Sequence, residues 1–173
     1  MNLLKYKSLF GVITIQEKNG KISRVYLPNA EPLGTQTQTP VSDAVAATPF
    51  QKGALAHSDL LIEAKRQIIE YFGGKRKAFD LPLNFDGCTD FMKSVYHELL
   101  KIPYGETASY KDIAERIGCP KGFRAVGLAN NKNPLSIIVP CHRVIGSDGK
   151  LVGYGGGIDL KIKLLELEKI KYF

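Results

Sequence analysis

The sequence predicts an α+β chain in two unlike parts, a small β-rich N-terminal part with one helix and a mainly helical C-terminal part. Three observations predict it. Residues 8–27 hold two β-rich runs around Asn19-Gly20, a strong hairpin-turn signal because both residues tolerate positive φ. From residue 90 onward, apolar residues recur at helical spacing. Between these regions Asp86-Gly87 reads as a boundary, dividing the chain into residues 1–86 and 87–173.

The elements follow in order. Leu9, Val12, Ile13 and Ile15 form the first run of the hairpin; Ile22, Val25, Tyr26 and Leu27 form the second. Residues 28–57 are rich in Pro, Thr, Gln, Ala and Gly and lack periodicity, which predicts a long flexible loop. Ser58 or Asp59 caps a helix running to Phe72, with Leu61, Ala64, Ile68 and Phe72 on its apolar face. Gly73-Gly74 ends it, and residues 78–85 read as extended. Residues 90–101 form a helix with Phe91, Val95 and Leu99 on one stripe. Residues 110–117 and 121–130 form two short helices across Gly118, the outline of a helix-turn-helix, with Pro120 placed for the first turn of the second. Ile137-Ile138-Val139 is a short buried run leading into Pro140-Cys141. A glycine-rich stretch, 146–157, precedes a last helix over residues 158–172.

Composition narrows the function. With 44% hydrophobic and 24% charged residues, the chain of 173 residues is expected to bury a packed core. No apolar run approaches the ~18 residues of a membrane span, and the N-terminus lacks the apolar region of a signal peptide. The expectation is a soluble protein of the cytoplasm or nucleoid, away from membranes. Cys88, Cys119 and Cys141 are odd in number and far apart, a poor disulfide framework that fits a reducing compartment. No CxxC pair is present, so no metal is expected. The net charge of +7 favours a polyanionic partner, though alone it is a weak pointer.

Three features point to chemistry. Cys141 is followed by His142 and Arg143, and neighbouring histidine or cations lower a thiol pKa and generate the nucleophilic thiolate. The plain alternative is an inert buried cysteine. Glu168 continues the row of Leu160 and Leu164 in the last helix, so a carboxylate stands on or beside an apolar stripe. A buried Glu168 would pair with His142 and give a carboxylate–base–nucleophile chain; a solvated one would be a surface residue beside Glu166 and Lys169. Finally, Arg124 stands among small residues at 125, 127 and 129. Small side chains admit a close partner backbone, of DNA or of another helix, and arginine can take phosphate or a vacated base position.

Together these residues resemble the O6-alkylguanine-DNA alkyltransferase family. The matching stretches include Tyr71-Phe72-Gly73-Gly74, Ile102-Pro103-Tyr104-Gly105-Glu106-Thr107, Arg124-Ala125-Val126-Gly127, Asn133-Pro134 and Pro140-Cys141-His142-Arg143-Val144, followed by Gly153-Tyr154, Lys161 and Glu168. The match runs through nearly all of residues 89–173 and is weaker before residue 70. The resemblance implies a ribonuclease-H-like α/β domain followed by a winged-helix-like catalytic domain. It implies irreversible transfer of an alkyl group from O6-alkylguanine to Cys141, by a monomer acting on double-stranded DNA without a cofactor, and leaves open whether O4-alkylthymine is a further substrate. His142 matches the general base acting through a water, Glu168 the carboxylate that orients it, and Asn133 the brace of the active-site turn. Tyr110 matches the tyrosine that stabilises the departing guanine, and Arg124 the arginine that enters the duplex. DNA contacts are expected at Ala125, Gly127, Lys111, Cys119 and Ser147, and substrate contacts at Tyr154, Gly155, Val144 and Met92. At Gly155 only a backbone N–H is offered. Two alternatives remain open from the residues alone: a damage-binding module without transfer, against which Cys141 argues, and a cysteine hydrolase using Cys141, His142 and Glu168.

Overall fold

The computed structural model describes residues 1–28 and 58–172. The expected loop therefore lies, apart from Pro28, outside the described residues. The N-terminal part holds a three-stranded antiparallel meander, β1 (Asn2–Ser8), β2 (Gly11–Lys18) and β3 (Lys21–Tyr26), in the order β1-β2-β3. The β2–β3 hairpin turns at Asn19 and Gly20, with φ of 55° and 70°, as the Asn-Gly pair requires. Strand β1 was not expected. Its alternation is short: Leu4 and Tyr6 point inward between exposed or half-buried lysines. Leu9, assigned to a strand, instead stands 86% exposed in the β1–β2 turn.

Helix α1 (Asp59–Phe72) lies against this sheet. Ser58 caps it, its hydroxyl accepting from Leu61 N at 3.3 Å. Leu61, Ala64, Ile68 and Tyr71 are fully buried on its inner face. The extended segment beyond it touches the sheet through Ile22 N to Pro82 O and Asn84 N to Ile22 O, each 2.8 Å.

The C-terminal part packs α2 (Asp90–Leu99), α3 (Tyr110–Arg116) and α4 (Phe123–Asn131) together. A two-residue strand β4 (Ala108–Ser109) pairs in parallel with β5 (Val144–Ile145). Ser109 and Asp112 form a reciprocal cap at the start of α3. Between α3 and α4 the structure differs from expectation. The second helix starts at Phe123, so Pro120 lies in the turn, where Cys119 N bonds Ala114 O at 2.8 Å and Gly122 N bonds Cys119 O at 2.7 Å. Helix α5 (Ile158–Leu167) also stops five residues before the expected end. Lys169 takes φ 59°, and Ile170 N returns to Leu165 O at 2.9 Å, a left-handed cap that closes the helix. No helix among the described residues is long and apolar enough to cross a membrane.

Candidate active site

The site begins with a forced turn. After α4 the chain reverses over residues 133–139, and Ile137 adopts φ 76°, which strains a β-branched residue. Asn133 fastens this reversal: its Oδ1 accepts from Leu135 N at 3.0 Å, and its Nδ2 donates to Val139 O at 2.9 Å. The same Nδ2 lies 3.1 Å from Cys141 Sγ. Cys141 opens a single 3-10 turn (Cys141–Arg143) and is 3% exposed.

Burial pushes the Cys141 thiol above its ordinary pKa, and the Asn133 amide and the Lys161 charge only partly oppose this. This corrects the expectation that the adjacent cation lowers the thiol pKa. Arg143 turns away: its Nε and Nη2 grip the Glu168 carboxylate, each at 2.9 Å, and Nη1 donates to Ile102 O at 2.7 Å. The cation that influences the sulfur is Lys161, fully buried, donating to Val144 O at 2.7 Å and Val152 O at 3.1 Å. Burial lowers its pKa to about 8. By tying both ends of the intervening loop, Lys161 also fixes the wall around Ser147.

Glu168 is not a surface residue. It is 2% exposed and caps α5, where its side chain turns inward. Its Oε1 lies 3.0 Å from His142 Nε2, and Gly105 N donates to Oε2 at 3.2 Å. Burial alone would raise its pKa, but hydrogen bonds from His142, Arg143 and Tyr71 outweigh that and hold it at about 2. His142 is fully buried, and burial lowers its pKa despite the nearby carboxylate. A neutral imidazole beside an ionised carboxylate carries its proton on Nε2, as the hydrogen-bond partners assign it. Its Nδ1 is buried and has no protein partner, so a basic lone pair is free. His142 makes no direct hydrogen bond to Cys141 within the network around them.

Three further side chains among the described residues bury polar atoms with no protein nitrogen or oxygen partner, the Tyr6 and Tyr154 hydroxyls and the Asn130 carboxamide. Burial and the nearby Cys141 sulfur raise the Tyr154 pKa. Buried polar groups are normally hydrogen-bonded, so the Tyr154 hydroxyl, which lies near the Cys141 sulfur, marks where a polar ligand could fit.

On the outer face, Tyr110, Lys111, Arg124, Gly127 and Ser147 line one open groove of about 810 Å³. A Cβ at Gly127 would make only ordinary contact with the Tyr110 ring, at 3.7 Å. The small residues divide by role: Ala125 is exposed, while Ala129 is 2% exposed and serves packing. Arg124 extends outward with its guanidinium 5.8 Å from the Phe123 ring centroid. Burial pushes the Tyr110 hydroxyl pKa up to about 12, so it remains a donor. Cys119 is exposed in the α3–α4 turn, outside the groove lining. Val144 is fully buried and begins β5, directly after the turn that holds Cys141. Met92 lies elsewhere, in a second cleft with Tyr26, Cys88 and Asn133; Gly155 borders that cleft, its missing Cβ making room for Asn131 O at 3.3 Å. Sequence reasoning gave no site role to Tyr71, and read Arg143 as a partner of the sulfur, because both meet Glu168 only through folding.

A buried thiol beside a neutral histidine tied to a carboxylate, close to Tyr110 of a groove on a helix-turn-helix, is the arrangement of a DNA-facing protein with a cysteine nucleophile. Two family models agree with that definition. The ribonuclease-like domain of 6-O-methylguanine DNA methyltransferase matches residues 4–85, and the DNA-binding domain of the same family matches residues 90–170. The chain belongs to the 6-O-methylguanine DNA methyltransferase family. It is 62% identical over 107 residues to the methylated-DNA–protein-cysteine methyltransferase of Methanosarcina barkeri, covering 62% of this chain and 67% of that one. Its identity to the Mycobacterium leprae protein of the same name is 52% over 121 residues, covering 70% and 73%. The crystal structure of Mycobacterium tuberculosis OGT in complex with DNA superposes with a TM-score of 0.75 at 43% identity, covering 96% of this chain and 92% of that one. The α+β architecture is that of the family, a ribonuclease-like part with the sheet and a helical DNA-binding part.

Proposed function

We propose that this protein repairs DNA by taking the alkyl group from O6-alkylguanine onto Cys141, once per molecule. The observation that carries the reading is the braced, buried Cys141 beside a neutral His142 whose Nε2 is tied to Glu168. The division into residues 1–86 and 87–173 is supported by family matches that meet between residues 85 and 90. Every residue of the proposed site comes from a single chain, which supports action as a monomer. The place of action is then where chromosomal DNA lies, in cytoplasm or nucleoid.

The alkylated base is hidden in the duplex and must leave the stack, at a cost of a few kcal/mol. Arg124 fills the gap, and Lys111 and Ser147 hold the backbone along the groove. The base enters beside Tyr110, toward the Tyr154 hydroxyl that lies near the sulfur. The Cys141 proton passes through a water to Nδ1 of His142, and Glu168 balances the imidazolium that forms. Sulfur attacks the alkyl carbon as the carbon–O6 bond breaks, and the bonding pair leaves with guanine. Tyr110 donates a hydrogen bond as negative charge grows on the base, which then takes up a proton. The product on the protein is a thioether, which water does not reverse.

Intact mass spectrometry after mixing with excess methylated duplex tests this reading. Protein mass is expected to rise by one methyl group, mapped to Cys141, and repaired guanine to stop at one equivalent. Many equivalents with Cys141 recovered free would revive the hydrolase. Arg124→Ala is expected to slow repair of duplex by about tenfold or more, the loss of roughly one charge-assisted contact at the flipped site. Reaction with free O6-methylguanine base, which needs no flipping, should change little. Equal losses on both substrates would assign Arg124 to folding instead.

A further inference from the structure

This inference rests on the alkyltransferase reading and extends it to the N-terminal part. Tyr71 belongs to α1, on the sheet side of the molecule, yet it is fully buried and its hydroxyl ends among the active-site groups. The hydroxyl donates to Glu168 Oε1 at 2.5 Å and lies 3.2 Å from His142 Nε2. Since its proton goes to the carboxylate, only oxygen lone pairs face the imidazole. A ring nitrogen that faces one carboxylate oxygen and one lone-pair oxygen must be the N–H. The hydroxyl therefore reinforces the tautomer that Glu168 favours, the one that leaves Nδ1 basic. The ring cannot swing away: Phe79 and Tyr104 pack against it, with centroids at 5.3 Å and 6.2 Å. A core aromatic with no polar task would do as well as phenylalanine, without burying a hydroxyl.

We propose that Tyr71 is a positioning residue, through which the N-terminal part holds the His142 tautomer and supports the imidazolium formed when Cys141 releases its proton. The hydroxyl transfers no proton itself. Its oxygen offers a second acceptor to Nε2–H when the ring becomes charged, in a place that water does not reach.

The test is Tyr71→Phe, followed by single-turnover methyl transfer to Cys141 from methylated duplex across pH. The rate at neutral pH is expected to fall about tenfold, the worth of one hydrogen bond to a charged group. The deficit should shrink at alkaline pH, where the thiol ionises without help from His142. Duplex affinity should stay unchanged. Combined with Glu168→Gln, the loss should be much smaller than the product of the two single losses, because both act through His142. A wild-type rate, or a deficit constant across pH and multiplicative with Glu168→Gln, would overturn the inference. Should the variant not fold, nitrogen NMR of His142 in the intact protein decides: Nε2–H at neutral pH is expected, and Nδ1–H would refute it. Failure of the wild-type protein to methylate Cys141 would instead strike the alkyltransferase reading itself.

Discussion

Cys141→Ser is expected to abolish methyl transfer while leaving affinity for duplex DNA intact. Even the sulfur needs help here, since burial holds its pKa above the ordinary thiol value. A serine hydroxyl is a far weaker acid than a thiol, and His142 cannot take its proton to a comparable extent. The substitution adds no volume, and the Asn133 amide can donate to oxygen as it does to sulfur, so the turn should survive. In the proposed reading, binding uses Arg124, Lys111 and the groove, whose lining does not include residue 141. Electrophoretic mobility of a methylated duplex and the mass of the protein after incubation check the two halves separately. Methyl transfer to Cys88 or Cys119 in this variant would show that the nucleophile had been misassigned.

The second large effect is expected at Glu168. Replacement by Gln keeps the shape but removes the charge that both Arg143 and a protonated His142 use. Alkylation should slow on the order of 100-fold, the lower end of what a positioned base contributes. Stability should also fall, by about 3 kcal/mol, because the Arg143 guanidinium is left buried without its counter-charge. The pH dependence follows from the same carboxylate. Its pKa is lowered from 4.5 to about 2 on folding, so its stabilising contribution is complete above 4.5 and is lost as pH falls through about 2. Denaturant midpoints measured from pH 7 down to pH 2 should converge for wild type and Glu168→Gln at the acid end. A constant gap across that range, or an unchanged single-turnover rate, would return Glu168 to a purely structural role.

Local signals were legible in the sequence. Asn19-Gly20, the Ser58 cap and the helical spacing of Leu61, Ala64 and Ile68 each depend on residues a few positions apart, and the fold places them accordingly. The nucleophile stood out because Cys141 and His142 are adjacent. Glu168 stood out because it continues a leucine row, although periodicity could not decide which way its side chain turns. The end of α5 decides that, and it depends on a left-handed residue at Lys169, a type with no special preference for that conformation. The opposite fate of Arg143 was illegible for another reason. Adjacency to Cys141 made it a natural neighbour of the sulfur, whereas its partner Glu168 lies 25 residues away. Tyr71 is more remote still, 97 residues from the same carboxylate. Such meetings are settled by topology, and a single sequence gives little hold on them.

The same remoteness has a consequence during synthesis. Chains fold from the N-terminus as they emerge, so Tyr71 is in place early, whereas Cys141 and His142 precede Glu168 along the chain and must wait for the last helix to dock. Until α5 docks, the imidazole has no carboxylate and the thiol no oriented base. Before docking, the sulfur is an exposed thiol of ordinary acidity, and burial raises its pKa only as the site closes. Closing the site thus suppresses unaided ionisation of the thiol and supplies a carboxylate-tied histidine in the same step, so a free electrophile meets a less ionised sulfur in the finished fold than in the nascent chain.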